Sequence, residues 1–169
     1  TGNVVGAADG NGSTISQVLG TTDASIGTVV YTITPSANGC AGPATVVTVT
    51  INPIATVSAG ADFAVCEPVT IPISGIIGGS ATTATWTVVS GAGTISATTV
   101  GGVTASATYT VAPGDIAGSV TFRLTTNDPD AAGPCVAMSD EVVVSVNRQA
   151  RLTLPADYIV CEPSTINLS

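Results

Sequence analysis

The phrase Val65-Cys66-Glu67-Pro68, followed by Val69-Thr70-Ile71-Pro72-Ile73-Ser74, returns as Val160-Cys161-Glu162-Pro163, followed by Ser164-Thr165-Ile166-Asn167-Leu168-Ser169. The two phrases stand 95 positions apart. The other cysteines, in Asn38-Gly39-Cys40-Ala41-Gly42-Pro43 and Ala132-Gly133-Pro134-Cys135, are separated by the same 95 positions. One period therefore accounts for all four. Solenoid units run to roughly 20–50 residues, so a repeat of this length describes a tandem array of small domains. On this reading residues 53–148 form one complete unit. Residues 1–52 are the C-terminal part of the unit before it, and residues 149–169 the N-terminal strands of the next.

Within each period, apolar and polar residues alternate between turn clusters. The clearest strands are 28–34 (TVVYTIT), 44–51 (ATVVTVTI), 69–74, 84–89 (ATWTVV), 93–98, 105–111 (ASATYTV), 119–126 (SVTFRLTT) and 141–147 (EVVVSVN). Turn chemistry separates them at Gly78-Gly79, Gly91-Ala92-Gly93, Gly101-Gly102, Pro113-Gly114-Asp115 and Asn127-Asp128-Pro129-Asp130. No stretch has helical spacing. So many short strands in one unit predict an all-β fold of two antiparallel sheets packed face to face. The last two strands of the unit read as a hairpin with the late cysteine in its loop. The connections at Ile51-Asn52-Pro53-Ile54 and Asn147-Arg148-Gln149 are short and poor in Gly and Ser, which predicts a semi-rigid rod.

Composition agrees. The 169 residues are 44% hydrophobic, 8% charged and 4% aromatic, the reverse of the bias that marks disordered chains. Three arginines (Arg123, Arg148, Arg151) stand against eleven carboxylates, with no lysine and no histidine, for a net charge of −8. A chain without a basic patch has no means of releasing counterions from a phosphate backbone, so no nucleic-acid partner is expected. An anionic membrane surface is disfavoured for the same reason. No apolar run approaches the roughly 20 residues of a membrane span, so direct membrane insertion is not expected. The opening Thr1-Gly2-Asn3 lacks signal-peptide character, and the expectation is a fragment whose export signal lies outside it.

Each unit holds one early and one late cysteine. The expected pairing is Cys66 with Cys135 inside the complete unit, with Cys40 and Cys161 pairing outside the segment. The competing pairing joins Cys40 to Cys66 across a linker. A Cys66–Cys135 bridge would close a loop of about 70 residues and contribute ~4 kcal/mol by chain entropy. Such bridges persist in oxidising compartments, so an extracellular location follows. With no Cys-x-x-Cys pair and no histidine, a zinc site is disfavoured.

The run Ile15-Ser16-Gln17-Val18-Leu19, then Thr28-Val29-Val30-Tyr31-Thr32-Ile33-Thr34-Pro35, then Asn38-Gly39-Cys40, resembles the second half of PKD-like domains in giant secreted proteins of Bacteroidetes. Ser58-Ala59-Gly60-Ala61-Asp62 leading into Val65-Cys66-Glu67 resembles the start of the companion immunoglobulin-like repeats. The resemblance implies tandem immunoglobulin-like and PKD-like β-sandwich domains. It also implies export by a type nine secretion system and display at the cell surface, as in gliding and attachment adhesins. It supplies no catalytic residue. Cys135 in a Gly-Pro-Cys turn also departs from the mid-strand cysteine of antibody domains.

Trp86 alternates with Thr85 and Thr87, which reads as a core plug in preference to a sugar-stacking platform; Tyr31, Tyr109 and Phe122 read the same way. Asp128 and Asp130 offer hard oxygens of the kind calcium takes, and Asp62 or Asp157 near a junction could join them. The alternative for Asn127-Asp128-Pro129-Asp130 is a turn signature alone. No cofactor is otherwise expected. Catalysis is not expected either: histidine and lysine are missing, and Asp140-Glu141 point to opposite faces of a strand. The missing lysine also excludes a Lys–Asn isopeptide crosslink. Asn11-Gly12-Ser13 and Asn167-Leu168-Ser169 fit the N-glycosylation sequon, as chance alone would supply in a chain this rich in Ser and Thr.

The leading functional expectation is a structural segment of an extracellular surface adhesin or fibre, its partners being neighbouring repeats, with homotypic filament contacts as an addition. The alternatives are a carbohydrate-binding module and an accessory domain of a secreted multidomain protein.

Overall fold

A computed structural model of the chain describes residues 2–96, 99–133 and 135–152. Cys161 and Asp157, with nearly all of the expected third unit, lie outside the described residues. Regular structure among the described residues is all β apart from one 3-10 turn, Pro113–Asp115.

The first part of the chain carries β1 (Val4–Val5), β2 (Gly20–Thr21), β3 (Gly27–Ile33), β4 (Ser36–Ala37), β5 (Cys40–Ala41) and β6 (Thr45–Ile51). Strands β3 and β6 form an antiparallel ribbon in register from Gly27↔Ile51 to Ile33↔Thr45, with the small β4–β5 hairpin at its tip. Gln17 organises the long segment before it. Its amide donates to the Ala8 carbonyl at 2.5 Å, and its Oε1 accepts from the Tyr31 hydroxyl at 2.6 Å. Tyr31 is therefore half-buried and hydrogen-bonded, not a closed core plug.

The second part carries β7 (Thr56–Ser58), β8 (Phe63–Cys66), β9 (Thr70–Gly78), β10 (Thr83–Ser90), β11 (Thr94–Ser96), β12 (Thr99–Gly101), β13 (Thr104–Thr110), β14 (Gly118–Thr126) and β15 (Ser139–Asn147). They form two sheets, ordered β12-β10-β14-β15-β8 and β11-β13-β9-β7. All pairs are antiparallel except β15 with β8, which is parallel. Alternation puts one face of each strand inside: Ile71, Ile73 and Ile77 of β9, Ala105, Ala107 and Tyr109 of β13, Val142, Val144 and Val146 of β15. This is a β-sandwich, as the strand spacing predicts.

Trp86 is fully buried at its centre and donates its indole N–H to the Ala105 carbonyl of the facing sheet at 3.1 Å. A tryptophan is easily buried once its N–H has an acceptor, and here the bond also ties the two sheets together. The Tyr109 and Phe122 rings meet edge to face with centroids 5.0 Å apart. Gly75 makes room for this packing. A Cβ there would stand 2.5 Å from Leu124 Cδ2 and 2.6 Å from the Ser58 carbonyl oxygen.

The long strands stand where the sequence pattern places them. The two-residue strands, β7, β8 and β12 are additions. Strand β8 is the important one, because its parallel pairing with the last strand fixes where Cys66 sits.

Candidate functional site

Strand β8 runs alongside the end of β15, in register from Val144↔Phe63 to Asn147↔Cys66. Two carboxylates stitch the approach to it: Asp140 Oδ2 accepts from the Ala59 N–H and Asp62 Oδ1 from the Val143 N–H, both at 2.8 Å. Cys66 is thereby held beside Asn147, the last residue of the last strand, and is exposed. Glu67 follows in the left-handed region (φ 39°), and its N–H donates to the Asn147 carbonyl. The Glu67 carboxylate accepts from the Gln149 N–H at 3.1 Å and from the Arg151 guanidinium at 2.9 Å. These contacts hold the outgoing chain against the turn that follows Cys66. This end is the exit pole of the sandwich.

Cys135 sits at the other end, in the loop joining β14 to β15. Asn127 opens that loop; its side-chain oxygen accepts from the N–H groups of Thr82 and Thr83, both at 2.9 Å, pinning the β9–β10 turn. Asp128 caps Asp130 and Ala131, and Asp130 accepts from the N–H groups of Gly133 and Cys135, both at 3.1 Å. The side chain of Asn52, the residue just after β6, is close enough to the Cys135 thiol to act on its protonation. Cys135 thus marks the entrance pole. Burial and the Asp130 carboxylate push its thiol up from the ordinary value, with the Asn52 side chain opposing them.

The expected Cys66–Cys135 bridge is corrected by this topology. Both thiols are free. The eight residue steps of β15 between Ser139 and Asn147 span about 26 Å, whereas a disulfide needs Cα atoms within about 7 Å. Without β8 the sequence offers no sign that the early cysteine lies at the far end of the last strand. The competing Cys40–Cys66 pairing fares no better. Cys40 is free and exposed in β5, at the tip of the β3–β6 ribbon away from Asn52.

Among the described residues, the calcium candidate Asp62 does not join Asp128 and Asp130 in a site, and Asp157 lies outside the described residues. Asp62 is committed to β15, and Asp128 and Asp130 are committed to backbone N–H groups of their own loop. Among the described residues no group of three or more Cys, Asp or Glu converges as a metal site. The turn reading accounts for what Asn127, Asp128 and Asp130 do. Asp140 and Glu141 do face opposite ways: Asp140 turns to Ala59, Glu141 to Arg123 across the β14–β15 pair, at 2.5 Å. Trp86, Tyr109 and Phe122 are fully buried, so none of them offers a ring face to a sugar.

One polar centre was not foreseen. Asp115 is buried and accepts from the Tyr109 hydroxyl at 2.8 Å and from the N–H groups of Ala92 and Ala112 at 2.7 and 2.9 Å. Tyr109 in turn accepts from the Gly93 N–H at 2.6 Å. Burial pushes the Asp115 carboxyl up, but the two backbone donors and the hydroxyl outweigh it and hold the group below its ordinary value. Burial and the neighbouring carboxylate raise the Tyr109 hydroxyl. The available signal was Asp115 at the end of Pro113-Gly114-Asp115, six residues after a tyrosine, a spacing that reads only as a turn. The network closes one pole of the core and has no open face for a substrate.

An open groove at the junction of the two parts is lined by Leu19, Asp23, Ile51, Asn52, Pro53 and Ile54. No helix of the described residues is long and apolar enough to cross a membrane. No curated protein matches the chain. Residues 1–55, which hold the β3–β6 ribbon and the junction that follows it, match the family of PKD-like domains, a type found generally in extracellular and surface proteins.

Proposed function

We propose that this chain is a structural segment of an extracellular bacterial surface protein, a semi-rigid stalk of β-sandwich repeats whose work is to hold something else at a distance. The carrying observation is the junction. Only Asn52, Pro53, Ile54 and Ala55 separate β6 from β7, and Pro53 and Ala55 are buried. A connection of four residues, half of them packed and one a proline, restricts the rotation that a Gly/Ser linker would allow. The PKD-like match and the closed apolar core support the same reading. The resemblance to Bacteroidetes surface proteins points to an adhesin.

Small-angle scattering tests the stalk. The chain should give the profile of two units at one fixed spacing, and two glycines inserted after Pro53 should broaden it. Equal breadth for both proteins would sink the semi-rigid reading. Protease shaving of intact cells, with the segment followed by antibody, tests surface display.

Self-association into filaments is a further part of the reading. Val30, Val46 and Val47 stay exposed on the β3–β6 ribbon, and apolar strands of this kind accept partners. Sedimentation velocity over a wide concentration range would show mass growth; a monomer throughout would remove this part.

A further inference from the structure

We infer that the cysteines of this repeat form disulfides between neighbouring units, the early cysteine of one unit joining the late cysteine of the unit that follows it. The inference rests on the repeat-array reading above and deepens it.

The argument starts from the asparagine at each junction. Residues 52–66 and 147–161 align without a gap: Asn52 stands 95 positions before Asn147, Asp62 before Asp157 and Cys66 before Cys161. Asn52 and Asn147 are therefore the same position of two successive units. At the first junction, the following unit's late cysteine, Cys135, lies in the loop that Asn127 pins to the β9–β10 turn, whose Gly79 abuts the Ile54 backbone, and the Asn52 side chain is close enough to act on its thiol. At the second, the preceding unit's early cysteine, Cys66, is the cross-strand neighbour of Asn147. Applied to one junction, the two observations put both cysteines beside a single asparagine. Each junction shown here displays one half of the pair.

A second set of contacts brings the next unit close. Arg151 occupies the position of Thr56, the first residue of β7, one period later. Its guanidinium binds Glu67, the residue after Cys66. The next unit thus begins within a side chain's length of the exit-pole cysteine. Cys66 stands one interstrand spacing, about 4.8 Å, from Asn147, so a late cysteine seated on the same side of that asparagine comes within the roughly 7 Å Cα span a disulfide needs. Cys66 is exposed and Cys135 partly so, which leaves both open to an oxidant.

The chemistry is ordinary thiol–disulfide exchange. One thiolate attacks the disulfide of an external oxidant, a thiol–disulfide oxidoreductase or a small-molecule disulfide, and forms a mixed disulfide. The second thiolate attacks that bond, forming the protein disulfide and expelling the remaining sulfur of the oxidant. Two protons and two electrons leave the cysteine pair, and the oxidant departs as two thiols. The bridge crosses a junction and does not staple a core, so it locks the bend between units without being needed for either to fold.

The test is the full chain extended in register by a second copy of residues 75–169, oxidised with glutathione disulfide and mapped by non-reducing peptide mass spectrometry. The expected result is a linked peptide joining Cys66 to the second copy of Cys135, with loss of two reactive thiols. Cys66 left free in a chain that is folded by circular dichroism, or joined to Cys135 of its own unit, overturns the inference. Because the extended chain could fail to fold, Asn52→Cys and Asn147→Cys are made separately in the 169-residue chain. Each introduced thiol should crosslink, the first to Cys135 and the second to Cys66; failure of either under the same oxidant overturns the placement. A folded but uncrosslinked chain that still gives a fixed-spacing scattering profile removes the disulfide and leaves the stalk standing.

Discussion

Replacing Asp115 with alanine strips three donors of their shared acceptor: the Tyr109 hydroxyl and the N–H groups of Ala92 and Ala112. A hydrogen bond to a charged group is worth about 1.5–3 kcal/mol net when buried. The hydroxyl is enclosed, whereas Ala92 is exposed and Ala112 intermediate, so water takes over part of the carboxylate's role at the two amides. The loss should be about 3–4 kcal/mol, a large part of the ~5–15 kcal/mol that holds a typical domain. For a unit of this size that corresponds to a fall in Tm of about 12–30 °C. Urea denaturation at pH 7, followed through the Trp86 fluorescence, measures it. The pH dependence gives an independent check. A carboxyl held below its ordinary value in the folded state contributes stability that is complete above the unfolded value, near 3.9, and is lost as pH falls through the folded one. The gap between wild type and Asp115→Ala should therefore be full at pH 7 and shrink below about pH 4. A gap under about 1 kcal/mol at pH 7, or one that is unchanged in acid, would refute the reasoning.

Three further outcomes are expected. Trp86→Ala should cost about 3–5 kcal/mol through lost burial and cavity formation, and Trp86→Phe less, leaving the Ala105 carbonyl without its donor; urea midpoints rank the two. Gly75→Ala forces a methyl against Leu124 and the Ser58 carbonyl and should cost about 1–3 kcal/mol, despite alanine's better backbone entropy; thermal denaturation reads it, and a stabilised variant would contradict the packing. Arg123→Ala breaks an ion pair whose partners are about half exposed and should change stability by under ~1 kcal/mol, an effect that fades in high salt.

Much of the fold was legible because period-two alternation is strong in a sandwich with one wet and one dry face. Strands β9, β13, β14 and β15 each alternate in burial, and their sequences follow that alternation with exceptions such as exposed Ile76 in β9 and buried Thr126 in β14. Strand β8 was not legible. Phe63-Ala64-Val65-Cys66 is short and its residues are exposed or half-buried, so hydrophobic pattern carries no instruction for it. Its position is set by Asp62 and Asp140 reaching backbone N–H groups on distant strands, which no local spacing reveals. That gap misdirected the disulfide. The period correctly divides the cysteines into early and late, but a sequence does not say which pole each occupies. The acidic loop shows the opposite case: turn chemistry was written plainly in Asn127-Asp128-Pro129-Asp130, and the side chains are used for turns.

The parallel pair β8–β15 bears on how the protein meets mechanical load. These strands lie near the beginning and the end of the unit and point the same way, so tension applied to the chain ends drags them in opposite directions along their own axes. The bonds over Val144↔Phe63 to Asn147↔Cys66 are then loaded together. A hairpin pulled at its open end gives way one bond at a time; a ladder pulled lengthwise must surrender several at once. Survival under a pull is set by the unfolding rate rather than the equilibrium free energy, and lengthwise loading of this pairing is the geometry that tension along the proposed stalk would impose.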